Sequence, residues 1–406
     1  MSQLAPRIGE ASTIVYPPSF YATTRCVSDL HAFLRLSLRV DRDPLARETL
    51  RKLAPSIDWN LVPQVAAKAR LLPLLHLAWR EETFVPPSLR RDLERAYVQT
   101  AARNLVVLNE LAQVVAALDR AGVPSIVLKG AALLESVYGN IALRPLRDVD
   151  LLVRHERAQD ALGILADRGF AAARAISANS GAAGFENELL LIKPGRVPVP
   201  LEMHWSLFDS PYYRQHLDLE DWWCSTEPFS LRNTPARMLD PVAQLLHLCG
   251  HLGLHHGGTD LLWEHDIAEV VHVYAARLDW DALLDRAVAT DLVLSVTSLL
   301  LRVATEDGAP IPLAVLERLR TLEASRDERR ISAYLATRTR GAGFRFWTDV
   351  ASIEGWRPRL RYAWTRIFPS SEYMRARYGL RHRLWLPFYY PYRWLSALAS
   401  HRSCRR

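Results

Sequence analysis

Apolar residues recur at helical spacing from residue 27 to residue 120: in VSDLHAFLRLSLRV, in LVPQVAAKARLLPLLHLAWR, and in a long run from about Pro87 to Arg120. This period predicts an N-terminal helical region, with Ser88 opening the last helix and Gly122 and Pro124 closing it. The period then changes. SIVL at Ser125–Leu128 and DVDLLV at Asp148–Val153 are short β-rich runs separated by a helical stretch, AALLESVYG, and a polar connector, NIALRPLR. HERAQDALGILADRG reads as an amphipathic helix, and GFAAAR, NELLLIK and VPLEMHW as further strands. After about Asp218 the pattern returns to helix. The expected fold class is α+β, a small mixed sheet flanked by helical regions. The expected boundaries are 1–120 helical, 121–210 α/β core, 211–340 helical, and 341–406 a basic aromatic tail.

Composition narrows the class. The chain has 406 residues, 49% hydrophobic and 23% charged, as in globular rather than disordered proteins. No stretch approaches the roughly 20 apolar residues of a membrane span, and MSQLAPRIGE shows no secretory pattern. The four cysteines are scattered without metal or disulfide spacing, so a reducing cytoplasm is the expected location. Lysine is rare, with four among 51 basic residues, which draws notice to Lys129. Charge is concentrated at the end. Residues 356–406 hold twelve arginines and one acid, a local net of +11 in a chain of +7, so the preceding residues sum to −4.

Chemistry concentrates at Asp148, Asp150 and Glu202. Strand alternation points Asp148 and Asp150 one way and Val149, Leu151 and Val153 the other. In VPLEMHW it pairs Glu202 with His204 on one face. Crowded carboxylates repel in a partly buried place, and a hard divalent cation such as Mg²⁺ or Mn²⁺ relieves that repulsion. Three acids can hold one or two metals for phosphoryl or nucleotidyl transfer. Arg144 and Arg147 precede the pair as potential phosphate ligands, or as partners of neighbouring acids.

The segment VLKGAALLESVYGNIALRPLRDVDLLV resembles the Lys-Gly turn, tyrosine-bearing helix, arginine and Asp-x-Asp strand of an uncharacterised bacterial nucleotidyltransferase family in the DNA polymerase β-like superfamily. LEMHWSL, HLGLHHGGTDLLWEHDIAEVV with LDWDALL, and IFPSSEYMRARYG resemble its later blocks. The resemblance spans about residues 30–395. It implies a metal-dependent transferase that moves a nucleoside monophosphate from a nucleoside triphosphate to an acceptor hydroxyl. Asp148 and Asp150 would be metal ligands, and Glu202 the third ligand or the base. The Lys129-Gly130 turn, with Arg144 and Arg147, would face the nucleotide. Many superfamily members carry Gly-Ser at this turn. Ala131 stands where that serine would be, so its hydroxyl is absent and Lys129 is the expected substitute.

Two features stand outside this picture. His247, His251 and His255 recur at one-turn spacing, with Asp260 and Asp266 following, and a zinc hydrolase is the rival they suggest. No glutamate lies between them as in HExxH, so a substrate-facing or supporting role for His204, His251, His255 and Asp266 is the preferred expectation. The tail interleaves aromatic residues with arginines, a composition suited to an anionic membrane surface at the inner face of the membrane, or to nucleic acid. Pro387 and Pro391 argue against one long helix there. The non-enzymatic alternative is a catalytically idle, antitoxin-like binding module on the same fold.

Overall fold

The computed structural model describes residues 29–172, 187–208, 210–255, 257–336, 342–369, 371–378, 380 and 382–403. Cys26, Cys404, His256 and the end of the GFAAAR run lie outside these. Helices α1 (29–37), α2 (Pro44–Leu53), α3 (Val62–Lys68) and α4 (Leu72–Ala78) lead into α5 (Pro87–Arg120). Then follow β1 (Ser125–Leu128), α6 (Lys129–Leu133), β2 (Val149–Val153), α7 (Ala158–Asp167), β3 (Ala171–Ala172), β4 (Glu188–Lys193) and β5 (Val199–His204). Two short helices, α8 (Pro211–His216) and α9 (Leu219–Cys224), precede a hairpin of β6 (Thr226–Leu231) and β7 (Thr234–Leu239). The remainder is helical: α10 (Pro241–His255), α11 (Leu261–Tyr274), α12 (Trp280–Ala289), α13 (Val293–Glu306), α14 (Leu313–Thr321), α15 (Arg326–Ala336), α16 (Ala342–Ser352), α17 (Trp356–Ile367), α18 (Ser371–Tyr378) and α19 (Leu386–Ser403).

The strands form one mixed sheet in the order β3-β4-β5-β2-β1-β7-β6. The expected run of strands through residue 204 is present. The β6–β7 hairpin was not expected, since that stretch was assigned to helix. Its turn uses Arg232 and Asn233, both at positive φ, the backbone of a two-residue hairpin turn usually signalled by Asn-Gly. Prolines 228 and 235 further disguise the strands. Pro228 is tolerated because β6 is an edge strand. β7 pairs in parallel with β1, so the sheet borrows a strand from beyond residue 210.

Both faces of the central strand β2 are buried. Val149, Leu151 and Val153 pack with Leu201, Met203 and the apolar side of α5 and α7, including Val107, Leu111, Val114 and Leu165. On the opposite face Ile126, Leu128 and Leu152 meet a larger helical core containing Leu245, Cys249, Leu252 and Val296. A third core joins the N-terminal helices around Phe33, Leu71, Leu75 and Trp79, and reaches Leu262 of α11.

The 34 residues of α5 are explained by this division. Leu89 and Leu93 belong to the N-terminal core, whereas Val107 to Leu118 lie under the sheet. By length and composition α5 could cross a membrane, contrary to the expectation that no such stretch exists; its apolar side is instead occupied by two cores. The helix opens with Pro87 at its first position rather than at Ser88, because proline lacks an amide that would go unsatisfied there. Pro391 lies within α19, so the prolines of the tail do not prevent a helix.

Candidate active site

Strand register brings the acids together. Asp150 of β2 lies opposite Glu202 on β5 and Leu128 on β1, while His204 lies opposite Leu152 on β2 and Glu188 on β4. Paired residues share a face, so Asp150, Glu202, Glu188 and His204 emerge together on the face covered by α10. Donor atoms of Asp150, Glu202 and His204 lie within 4.8 Å of one another, the arrangement among the described residues that could hold a metal ion. Asp148 is outside that tight trio but lines the same cleft, just before β2 begins.

Asp150 is buried and already partnered. Lys129 Nζ stands 2.7 Å from its Oδ1, and His204 Nε2 lies 3.0 Å from the same oxygen. The other ring nitrogen of His204, Nδ1, is 3.2 Å from Glu188 Oε2. Lys129 reaches this position from a left-handed backbone, φ +49°, a conformation that costs a side-chain-bearing residue roughly 1 kcal/mol. The strain is offset by burying an ammonium against a carboxylate.

The carboxylates are not held alike. Burial alone would push Asp150 up, but Lys129 and His204 together hold it well below the usual carboxylate range. At Glu202 the same two groups are outweighed: burial, then Asp150 and Glu188, push it up to about 7. Asp148 is raised as well, by burial and by Asp150. Burial and crowding of the carboxylates thus work against the ionised forms of Glu202 and Asp148.

Arg144 forms the second half of the site. Its Nε donates to Asp266 Oδ1 at 2.8 Å and its Nη2 to Oδ2 at 2.8 Å, a buried fork-to-fork pair. Tyr138 Oη donates to the same carboxylate at 2.7 Å. Of the two options for Arg144, pairing with an acid is present, and that acid is Asp266. Its remaining Nη1 packs over Gly130, where an added Cβ would lie 2.0 Å from it. Gly130 is thus required for close approach. The loop carrying Arg144 is fixed by Asn104, fully buried in α5, whose Nδ2 donates to the Ile141 and Arg144 carbonyls at 2.6 and 2.8 Å. Its Oδ1 accepts from the Leu146 amide at 3.2 Å.

A cleft of about 400 Å³ joins these pieces. Asp148, Asp150, Glu202, His204, Lys129 and Gly130 line it, with Arg144, Arg147, His251, His255, Phe208 and Trp263. Arg70 enters from the N-terminal helices, bonded to Asp260 Oδ1 at 2.5 Å and stacked 4.7 Å from the Trp263 ring centre. Arg70 is also at positive φ, the position just past α3 where glycine is usual. Ser206 Oγ, buried in this cleft, has no hydrogen-bond partner among the described residues.

Every residue expected at the site except Asp266 lines this cleft, and Asp266 lies directly behind Arg144. Both acids of the zinc alternative are engaged elsewhere. Asp266 is taken by Arg144 and Tyr138, and Asp260 caps α11 and pairs with Arg70. None of His247, His251 and His255 enters a metal-capable group among the described residues. Burial lowers His247 well below the ordinary range, and its Nε2 has no partner among the described residues. Glu188, Arg70 and Asn104 were not anticipated. Asn104 left a trace, a polar residue on the apolar side of a helix; Arg70 left none, because its turn has no glycine.

The described residues form an α+β protein with a carboxylate-lined cleft at the centre of a mixed seven-stranded sheet. Residues 55–305, more than half the chain, match the family described as "uncharacterised nucleotidyltransferase", and the chain belongs to that family. Among solved structures, it is similar to an antigenic nucleotidyltransferase-like protein from Paracoccidioides brasiliensis. The two share 16% identity over 53% of this chain and 96% of that one, at a TM-score of 0.33, too loose to argue from. No curated protein matches the chain.

Proposed function

We propose that the protein is a Mg²⁺- or Mn²⁺-dependent nucleotidyltransferase. The observation that carries this reading is the group of Asp150, Glu202 and His204 donors within 4.8 Å, with Asp148 lining the same cleft. The donor set suits a hard cation: carboxylates with one imidazole. Burial, with the neighbouring Asp150, raises both Glu202 and Asp148, and a bound cation would favour their ionised forms. Asp150, Glu202 and Asp148 would hold it, and when bound it would neutralise the phosphates and polarise the reacting phosphorus.

The chain's own residues supply the rest. Lys129, Arg70, Arg147 and the Nη1 edge of Arg144 give the triphosphate a cationic wall, and Ser206 Oγ offers a further hydrogen bond. The acceptor hydroxyl oxygen bonds to the α-phosphorus, the bond from that phosphorus to the β-phosphate oxygen breaks, and pyrophosphate leaves. Glu202 takes the acceptor's proton. Trp263, His251, His255 and Phe208 are left for base or acceptor. Positioning and charge neutralisation dominate such a reaction.

One observation favours a second reading, an idle binding module: Lys129 and His204 already occupy Asp150 Oδ1. Calorimetric titration of each nucleoside triphosphate, with and without Mg²⁺, separates the two. Wild-type protein should bind at least one triphosphate in a metal-dependent manner, and an Asp148→Asn/Glu202→Gln variant should not. Metal-independent binding, or equal binding by the folded variant, would favour the module.

A further inference from the structure

The C-terminal helices carry a surface that the cleft does not explain. In α17, Trp356, Leu360 and Trp364 are 66, 61 and 65% exposed, and Ile367 and Phe368 continue the stripe at 38% each. These positions, at i, i+4, i+8, i+11 and i+12, form one face of the helix. The opposite side is the buried one, where Tyr362 is 2% and Thr365 9% exposed. The helix is thus mounted with its apolar face toward solvent. The face does not stop at the helix end. The Trp364 and Phe368 rings lie 4.5 Å apart, and Phe368 meets Trp394 of α19 edge-on at 5.4 Å. Trp394 Nε1 donates to the Ile367 carbonyl at 3.0 Å, and Arg393 Nη1 to the Arg366 carbonyl at 3.0 Å, pinning α19 to the end of α17. Leu384, Trp385 and Phe388 add further exposed apolar side chains, 84, 56 and 69% accessible.

We propose that this face docks on an anionic lipid bilayer, with the Trp356–Leu360–Trp364 stripe entering the headgroup boundary. Charge selects this occupant. Arg357 and Arg361 adjoin the stripe, the Arg357 guanidinium lying 5.3 Å from the Trp356 ring centre, and residues 356–406 sum to +11. A helix with aromatic and aliphatic residues on one face and arginines at its borders lies in the plane of an anionic interface. A second copy of the chain would set +11 against +11. Nucleic acid is disfavoured by the stripe itself, since Leu360 and Ile367 offer no ring to stack on bases. The inference does not depend on the chemistry of the cleft.

The test is co-sedimentation of the full chain with vesicles of phosphatidylcholine alone and of equimolar phosphatidylcholine and phosphatidylglycerol. Wild type should pellet with the anionic vesicles and much less with the neutral ones, with partial release by salt. Trp356→Ser/Trp364→Ser should weaken partition by roughly tenfold with an unchanged circular dichroism spectrum. Arg357→Gln/Arg361→Gln should reduce the preference for anionic lipid. Failure to pellet with anionic vesicles, or equal pelleting by the tryptophan variant, overturns the proposal. So does a wild-type dimer that this variant turns into monomers, or a wild type that retains single-stranded RNA while ignoring vesicles.

Discussion

Asp150 and Lys129 show why single-residue reasoning about the site needed the structure. The motif marks Asp148 and Asp150 as equivalent, but their surroundings differ. Asp150 is buried between Lys129 and His204, whereas Asp148 is only half-buried at the strand entrance. Their substitutions should therefore behave differently. Asp150→Asn leaves a buried ammonium without its partner and should cost about 3 kcal/mol of stability in urea denaturation. Adding Lys129→Met should recover part of that loss. Asp148→Asn should leave the midpoint nearly unchanged and still remove metal-dependent nucleotide binding. If Asp150→Asn proves as stable as wild type, Lys129 is not dependent on it. At Gly130 the expectation is equally direct. Gly130→Ala drives a Cβ into Arg144 Nη1, and because Arg144 is held by Asp266 it cannot swing away freely. A stability loss of about 1–3 kcal/mol, together with weaker nucleotide binding, should follow; a neutral effect on both would show that Arg144 yields.

Elements were legible where hydrophobic period and punctuation agreed. β1, β2, β4 and β5 follow from short β-rich runs bounded by glycine, proline and polar residues, and Asp150 facing Glu202 follows from simple alternation once β2 and β5 are neighbours. The β6–β7 hairpin was hidden, since Arg-Asn takes the left-handed turn without glycine and two prolines interrupt the strands. Tertiary pairs such as Arg144 with Asp266 leave no local pattern at a separation of 122 residues. The packing of α15 on α13 adds a pH-dependent feature of the same kind. Burial, with the nearby charge of Asp291, pushes Glu328 up to about 7, against the hydrogen bond it accepts from the Leu294 amide at 2.6 Å. Its Oε2 has no partner among the described residues. A carboxyl raised on folding binds its proton more tightly in the native state, so stability falls as pH rises from about 4.5 to about 7 and then levels. Glu328→Gln should remove that fall. Urea denaturation should find the variant more stable than wild type by of the order of 2 kcal/mol at pH 8, with the difference vanishing near pH 4.5. Equal stability at pH 8 would show that the carboxyl is not strained there.

The whole molecule assembles one cleft from distant stretches of chain. Arg70 comes from the N-terminal helices, Lys129 to Glu202 from the sheet, and His251, His255 and Trp263 from α10 and α11. The sheet itself needs β7 as the neighbour of β1, and the face bearing Asp150 needs the helices that cover Ile126, Leu128 and Leu152. A fragment ending at residue 210 should therefore fail to give cooperative thermal unfolding, while one spanning 29–336 should retain it; a cooperative 121–210 fragment would contradict this dependence. The central claim is that the Asp150–Glu202 cleft is a cation and nucleotide site. The measurement that tests it most directly is an anomalous difference map from crystals grown with Mn²⁺ and a non-hydrolysable nucleoside triphosphate. The account predicts a manganese peak against the carboxylates of Asp150 and Glu202, with the triphosphate running toward Lys129 and Arg70. A peak instead at His251 and His255, or a triphosphate bound in the cleft without metal at these acids, would contradict it.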